Sequence, residues 1–254
     1  MPRHQLSANP FLGLKICQRA LRKLFQQYEL QAGHKRLKPA QGFCHRHEYI
    51  CRPLLPTKQT AMYEVFFAKF NEKCPLTHVE QDYIKQFLTP KRLRKRQYLL
   101  QEGDVCKSIA MVEKGAMRSY AVDSAGQEHI TSFALEGWTI ADLSSFQTAQ
   151  PSVQNIDALE DCELVLLSKA AHEQLLGSMP KYETYIRLLI TDAYVALQKR
   201  TLNMISLSPD ERYKAFIEVY PNIAMRVPQH MIASYMGLSP ETLSRIRSRI
   251  NNAK

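Results

Sequence analysis

Hydrophobic positions along this chain change period twice, and each change marks a new kind of structure. Between residues 62 and 90, Val65, Phe66 and Phe70, then Val79, Tyr83 and Phe87, recur at helical spacing. That predicts two helices interrupted near Pro75, with Thr77 capping the second. From about Leu93 to Ser168 the apolar runs shorten and turn residues separate them. Tyr98-Leu99-Leu100 leads into Glu102-Gly103-Asp104, and Ser108 to Glu113 is followed by Lys114-Gly115 and then Met117 to Val122. Asp123-Ser124-Ala125-Gly126 reads as a hairpin turn from which Glu128 to Leu135 returns. Beyond Gly137, Val153 to Ala158 and Leu164 to Leu167 close the series. Short strands at this spacing predict a barrel-like or rolled all-β domain of about 80 residues.

Helical period returns from Pro180 to about Leu207. Ile186, Leu189, Ala193 and Leu197 recur at steps of 3, 4 and 4, a narrow seam suited to a partner helix or to the chain's own β domain. Ser208-Pro209 then supplies a cap and a first-turn proline for the next helix. The segment from Pro228 to Ile250 reads as helix, glycine turn, helix. Gly237 sits where the turn needs positive φ, Ser239 can cap the second helix, and Pro240 fits its first position. At 100° per residue, Leu243, Ile246 and Ile250 fall on one side, and Glu241, Ser244, Arg245 and Ser248 on the other. An apolar back and a polar front are what a recognition helix needs. Two amphipathic helices around a glycine also serve simply to pack a core.

Composition is ordinary for a globular protein, with 45% hydrophobic and 23% charged residues among 254. No apolar run is long enough to span a membrane, and the start of the chain lacks the layout of a secretory signal. Six scattered cysteines form no disulfide framework, so a cytoplasmic location is expected. The net charge of +10 is unevenly placed: residues 1–61 hold 11 Lys/Arg against 2 Asp/Glu, leaving +1 for the rest. Locally, residues 226–254 carry Arg226, Arg245, Arg247, Arg249 and Lys254 against Glu241 alone. A local basic patch on such a motif is the footprint of phosphate contact. Residues 1–61 read as a basic extension with an amphipathic helix (Leu14, Leu21, Leu24, Phe25, Tyr28), foreign in composition to the chain beyond Met62. The expectation is that the native protein begins near Met62.

In order, then, stand a helical lead-in, a β-roll (residues 62–179), a long helix (180–207) and a helix-turn-helix (208–254). This chain resembles the Crp/Fnr family of bacterial transcription regulators. The resemblance rests on Glu102-Gly103-Asp104, Lys114-Gly115 and the run Ile232-Ala233…Met236-Gly237-Leu238-Ser239…Glu241-Thr242-Leu243-Ser244-Arg245. It implies an α+β chain: a double-stranded β-helix or jelly-roll domain like those that bind cyclic nucleotides, a long dimerisation helix, and a winged helix-turn-helix domain. It further implies that Ser239 and Thr242 hold DNA phosphates and that Glu241 and Arg245 reach base edges, with Ser244 and Arg249 beside them. The chemistry fits, because Arg pairs with guanine O6/N7 and Glu accepts from cytosine N4. Pro240 stands where some members place another base-reading Arg, so their operator sequence does not carry over.

The family's phosphate cassette pairs a Gly-Glu-Leu stretch with an Arg-Ser pair some ten residues on. Here the matching positions are Ala141-Asp142-Leu143, with Ser144 beside them, and Ser152-Val153; no Lys or Arg lies between Gly137 and Ala158. A buried phosphate without a cation is costly, so cyclic AMP is not the expected effector. Iron–sulfur sensing needs a tight N-terminal cysteine cluster, which Cys17, Cys44, Cys51, Cys74, Cys106 and Cys162 do not form. Cys44-His45-Arg46-His47…Cys51 has metal-ligand types but lacks a second knuckle, so no metal or other cofactor is expected. His129 and His172 read as surface or turn residues, and Trp138 as roll core. No catalytic constellation is assembled, so an enzyme is not expected. The reading is a homodimeric DNA-binding regulator with double-stranded DNA, RNA polymerase and an unidentified small molecule as partners. The alternative is a ligand-binding or protein-interaction module with a degenerate helix-turn-helix.

Overall fold

The computed structural model describes residues 63–252, so the expectations for residues 1–61 fall outside the described part, the Cys44 to Cys51 group included. The lead-in is two helices, α1 (Glu64–Lys73) and α2 (His78–Lys85). Thr77 caps α2 in a reciprocal box: its hydroxyl accepts from Glu80 N–H at 3.3 Å and Glu80 accepts from Thr77 N–H at 2.7 Å. The helix ends before Phe87, and the roll begins at Leu88 rather than Leu93. Strand β1 (Leu88–Leu93) contains Pro90, which is tolerated because β1 is an edge strand pairing only with β8 (Cys162–Ser168).

The other strands are β2 (Tyr98–Leu100), β3 (Ser108–Lys114), β4 (Met117–Val122), β5 (Glu128–Ala134), β6 (Thr139–Ile140) and β7 (Asn155–Ala158). They form two four-stranded antiparallel sheets, ordered β1-β8-β3-β6 and β2-β7-β4-β5, around a core that includes Val112, Met117, Phe146, Ile156 and Leu164. Strand β7 starts two residues later than the apolar run, since Val153 is 70% exposed. Gly115 holds the tight β3–β4 turn at φ 102°, where a Cβ would stand 2.6 Å from Cys162 Sγ and 2.7 Å from Asp161 O.

Helices α3 (Leu143–Thr148), α4 (Lys169–Ser178) and α5 (Pro180–Ser206) complete the roll and its long helix. Two single residues depart from expectation. His172 is buried, its Nδ1 2.6 Å from the Tyr182 hydroxyl, because α4 packs its inner face under α5. Trp138 is 39% exposed and meets Tyr220 edge-on at 5.7 Å, so it is not roll core but a contact to the C-terminal helices.

Those helices are α6 (Pro209–Val219), α7 (Pro221–Arg226), α8 (Gln229–Tyr235) and α9 (Pro240–Asn252). The described C-terminal residues contain no strand, so the expected wing is not among them. The stretch between α6 and α8 is the short helix α7 instead. The helices share one core with the outer face of the roll, where Tyr120, Ile130, Phe133 and Leu135 pack with Phe216, Ile232, Leu243 and Ile246. Among the described residues no helix is long and apolar enough to cross a membrane.

Candidate nucleic-acid interface

The turn between α8 and α9 depends on glycine's freedom. Gly237 sits at φ 66°, its N–H bonds Ser234 O at 3.0 Å, and Leu238 N–H bonds Ala233 O at 2.9 Å. These two bonds satisfy the last carbonyls of α8 and set the entry to α9. Ser239 caps α9 by accepting from Thr242 N–H at 3.2 Å, and the two hydroxyls lie 3.1 Å apart. Leu243 and Ile246 are fully buried and Ile250 is half-buried, so the predicted apolar back is in place. Ser239, Glu241, Ser244, Arg245 and Ser248 are exposed on the front, with Thr242 half-buried. Its own backbone N–H, then the Ser239 hydroxyl and the charge of Arg245, hold the Glu241 carboxyl below its ordinary range. At neutral pH this front presents a carboxylate acceptor beside a guanidinium donor.

The local positive charge is smaller than the sequence suggests. Arg249 pairs with Asp210 at 2.9 Å, back toward the start of α6, so it is not free on the front of α9. Arg226 is clasped between Glu136 (2.7 and 2.9 Å) and Glu160 (2.7 and 3.1 Å), both on loops of the roll. The Arg226 bonds, chiefly, pull the Glu136 carboxyl down to about 2. Arg245 and Arg247 carry no ion pair among the described residues.

A second group of contacts, absent from any short-range pattern, docks this reading head on the roll. Strand β5 is a sheet edge whose free backbone groups face α8. Ile130 N–H donates to Ser234 Oγ at 3.0 Å, and Ser234 donates to Glu128 O at 3.0 Å. One hydroxyl thus closes two edge positions. Arg200 on α5 donates to Thr131 O at 2.7 Å and to Tyr235 O at 2.8 Å, with its guanidinium 3.8 Å from the Tyr235 ring centroid.

The residues matching the phosphate cassette are brought together, but they satisfy one another. Asp142 is buried at the cap of α3, accepting from Ser145 N–H at 3.1 Å and from Ser152 Oγ at 2.7 Å. Leu143, Ser144 and Val153 point to solvent and Ala141 is half-buried. The buried cation of the roll, Arg118, is committed to Asp157 (2.8 and 3.0 Å) and Glu128 (2.5 and 3.3 Å). A cyclic nucleotide phosphate therefore finds Ser152, already bonded to Asp142, where the cassette places its Arg, and these residues do not fit one.

The seam expected on α5 divides. Ile186 and Leu189 pack on the chain's own cluster of Phe70, Leu175 and Tyr182, while Ala193 and Leu197 are exposed. Exposed apolar residues at heptad spacing on α5 are Ile190 (47%), Tyr194 (50%), Leu197 (56%) and Met204 (44%), a stripe that shares Leu197 with the expected seam and is flanked by Val195, Leu202 and Ile205.

The cyclic nucleotide-binding domain family matches residues 90–178 of this chain. An anaerobic regulatory protein of Haemophilus influenzae is 28% identical over 189 residues, covering 68% of this chain and 72% of that protein. Among solved structures, FixK2 of Bradyrhizobium japonicum has a TM-score of 0.58 at 20% identity, covering 65% of this chain and 85% of that one. A structure described as a transcriptional regulator of the Crp/Fnr family, from Eubacterium rectale, has a TM-score of 0.56 at 16% identity, covering 75% and 89%. Residues 90–178 thus match a cyclic nucleotide-binding domain, and over about two thirds of its length the chain is similar to regulators of the Crp/Fnr kind.

Proposed function

We propose that this protein binds DNA sequence-specifically as a homodimer on a near-palindromic operator, regulates transcription there in contact with RNA polymerase, and does so without cyclic AMP. The observation that carries the reading is the front of α9: Glu241 and Arg245 exposed one turn apart, with Ser239 and Thr242 at the helix start. Arg245 suits a guanine edge and Glu241 a cytosine amino group, while the hydroxyls and N–H groups of the helix start suit a phosphate. Ser244 completes the front. Arg249 joins the phosphate contacts only by leaving Asp210. The stripe from Ile190 to Met204 supports a two-fold pairing of α5 with its copy, which sets two reading heads about one helical turn apart.

Arg245→Ala tests the base-reading role. On the best site affinity should fall about 5- to 150-fold, that is about 1–3 kcal/mol, with preference relaxed at one base pair. An equal loss on specific and random DNA would make Arg245 a phosphate contact and remove it from sequence reading.

A further inference from the structure

Between the second half of α5 and the reading head lies a cavity of about 340 Å³ whose walls include Val195, Lys199, Arg200, Arg212, Phe216 and Tyr235. It is in the size range of small-molecule sites. By helical geometry Asp192, Val195, Lys199 and Asn203 lie opposite the stripe of Ile190, Tyr194 and Leu197, so pairing α5 with a second copy leaves this wall free, and Met204 alone belongs to both stripe and cavity.

Its charge is unbalanced. Arg212 donates to three main-chain carbonyls, Met236 O at 2.9 Å, Met204 O at 3.2 Å and Leu207 O at 3.3 Å, and its Nε is buried with no acceptor. Arg200 likewise spends its donors on carbonyls. Neither guanidinium, nor Lys199, pairs with a carboxylate among the described residues. The acid in the wall, Asp192, is already neutralised by Lys73. Three cations thus line a largely apolar cavity floored by aromatic rings, without a counter-ion. Half-buried guanidiniums facing apolar walls gain most from a fixed carboxylate, which takes planar paired N–H donors.

We infer that this cavity is a binding site for a small amphiphilic carboxylate, its acid group at Arg200 and Arg212 and its apolar or aromatic body against Phe216 and Tyr235. One wall belongs to α5 and the other to α6 and α8, so the ligand touches both the long helix and the C-terminal helices. It binds the docked arrangement better than an undocked one, and by linkage it changes DNA affinity by the same factor as DNA changes the affinity for the ligand. That last consequence rests on the DNA-binding reading; the site itself does not.

Calorimetry on the full chain without DNA is the test, using 4-phenylbutyrate against its uncharged amide. The acid should bind one per chain at about 0.1 mM, as its size allows. The amide should bind at least tenfold more weakly, and Arg200→Gln should lose the preference for the acid. Because Arg200 also holds Thr131 and Tyr235, a second variant guards against misfolding. Ala196 is an exposed wall residue, and Ala196→Trp should fill the mouth and abolish binding with helix content unchanged. No binding of the acid, equal binding of acid and amide, or undiminished binding to Ala196→Trp would each overturn the proposal. Failure of the ligand-free protein to bind any duplex would instead remove the DNA-binding reading and leave the site standing.

Discussion

Arg226→Ala should release the reading head from the roll by a measurable amount. Arg226 makes four N–O contacts of 2.7 to 3.1 Å with Glu136 and Glu160, and its side chain is 30% exposed, with the two acids at 36% and 38%. Exposed pairs contribute about 0–1 kcal/mol each, and two-pronged geometry puts these at the upper end. Removing the guanidinium also leaves two carboxylates facing each other, so the docked state should lose about 1–2 kcal/mol, an increase of about 5- to 30-fold in the undocked fraction. Hydrogen exchange at Ile130 reports this directly, since its amide donates to Ser234 of the head. Its exchange should quicken by that factor, while Arg92→Ala, which breaks the exposed pair with Glu163 at 3.3 Å, should leave it unchanged. The pH dependence has a definite sign. Glu136 is pulled from 4.5 to about 2, so the clasp is complete above about 4.5 and is lost as pH falls toward 2. An unchanged Ile130 rate in Arg226→Ala would refute the clasp.

Burial holds His172 neutral by lowering its pKa from 6.5, so the unfolded chain takes up a proton first and stability should fall as pH drops below 6.5. The urea midpoint of His172→Gln should lose that part of the slope between pH 7 and 5.5, and an identical slope would show that His172 does not titrate on unfolding. Leu197→Glu places a charge in the middle of the exposed stripe and should shift the sedimentation coefficient to that of a monomer, with an unchanged dimer assigning pairing to another surface. Titration with cyclic AMP or cyclic GMP should give no binding heat at micromolar protein, because Asp142 and Ser152 are bonded to each other and Arg118 to its acids; micromolar binding would contradict this.

What the sequence made legible was whatever depends on neighbours in the chain. Thr77, Ser208 and Ser239 cap helices through contacts three residues away, so spacing revealed them. Gly237 and Gly126 mark turns by their own backbone freedom. The back and front of α9 come from its period alone. Contacts between distant segments were not legible. Ser234 meets Glu128 across 106 positions, and Arg226 meets Glu136 across 90. Arg226 and Arg249 therefore counted as free charge until the fold supplied their acids. The α5 seam divides for a related reason: Ile186 and Leu189 satisfy the same period whether they face a partner or their own roll, and α1 and α4 claim them. Trp138 looked like core because size and apolarity do not say which side of a strand end faces the C-terminal helices. Of the cassette, the lack of a cation was legible, but the Asp142–Ser152 bond that closes it was not.

Selection of duplexes from a random-sequence pool with the full chain, sequenced after several rounds at graded salt, tests sequence-specific binding most directly. The expected result is enrichment of a near-palindrome whose half-sites lie about one helical turn apart, with affinity falling steeply as salt rises. Enrichment of no sequence, with binding to all duplexes alike or to none, would contradict it.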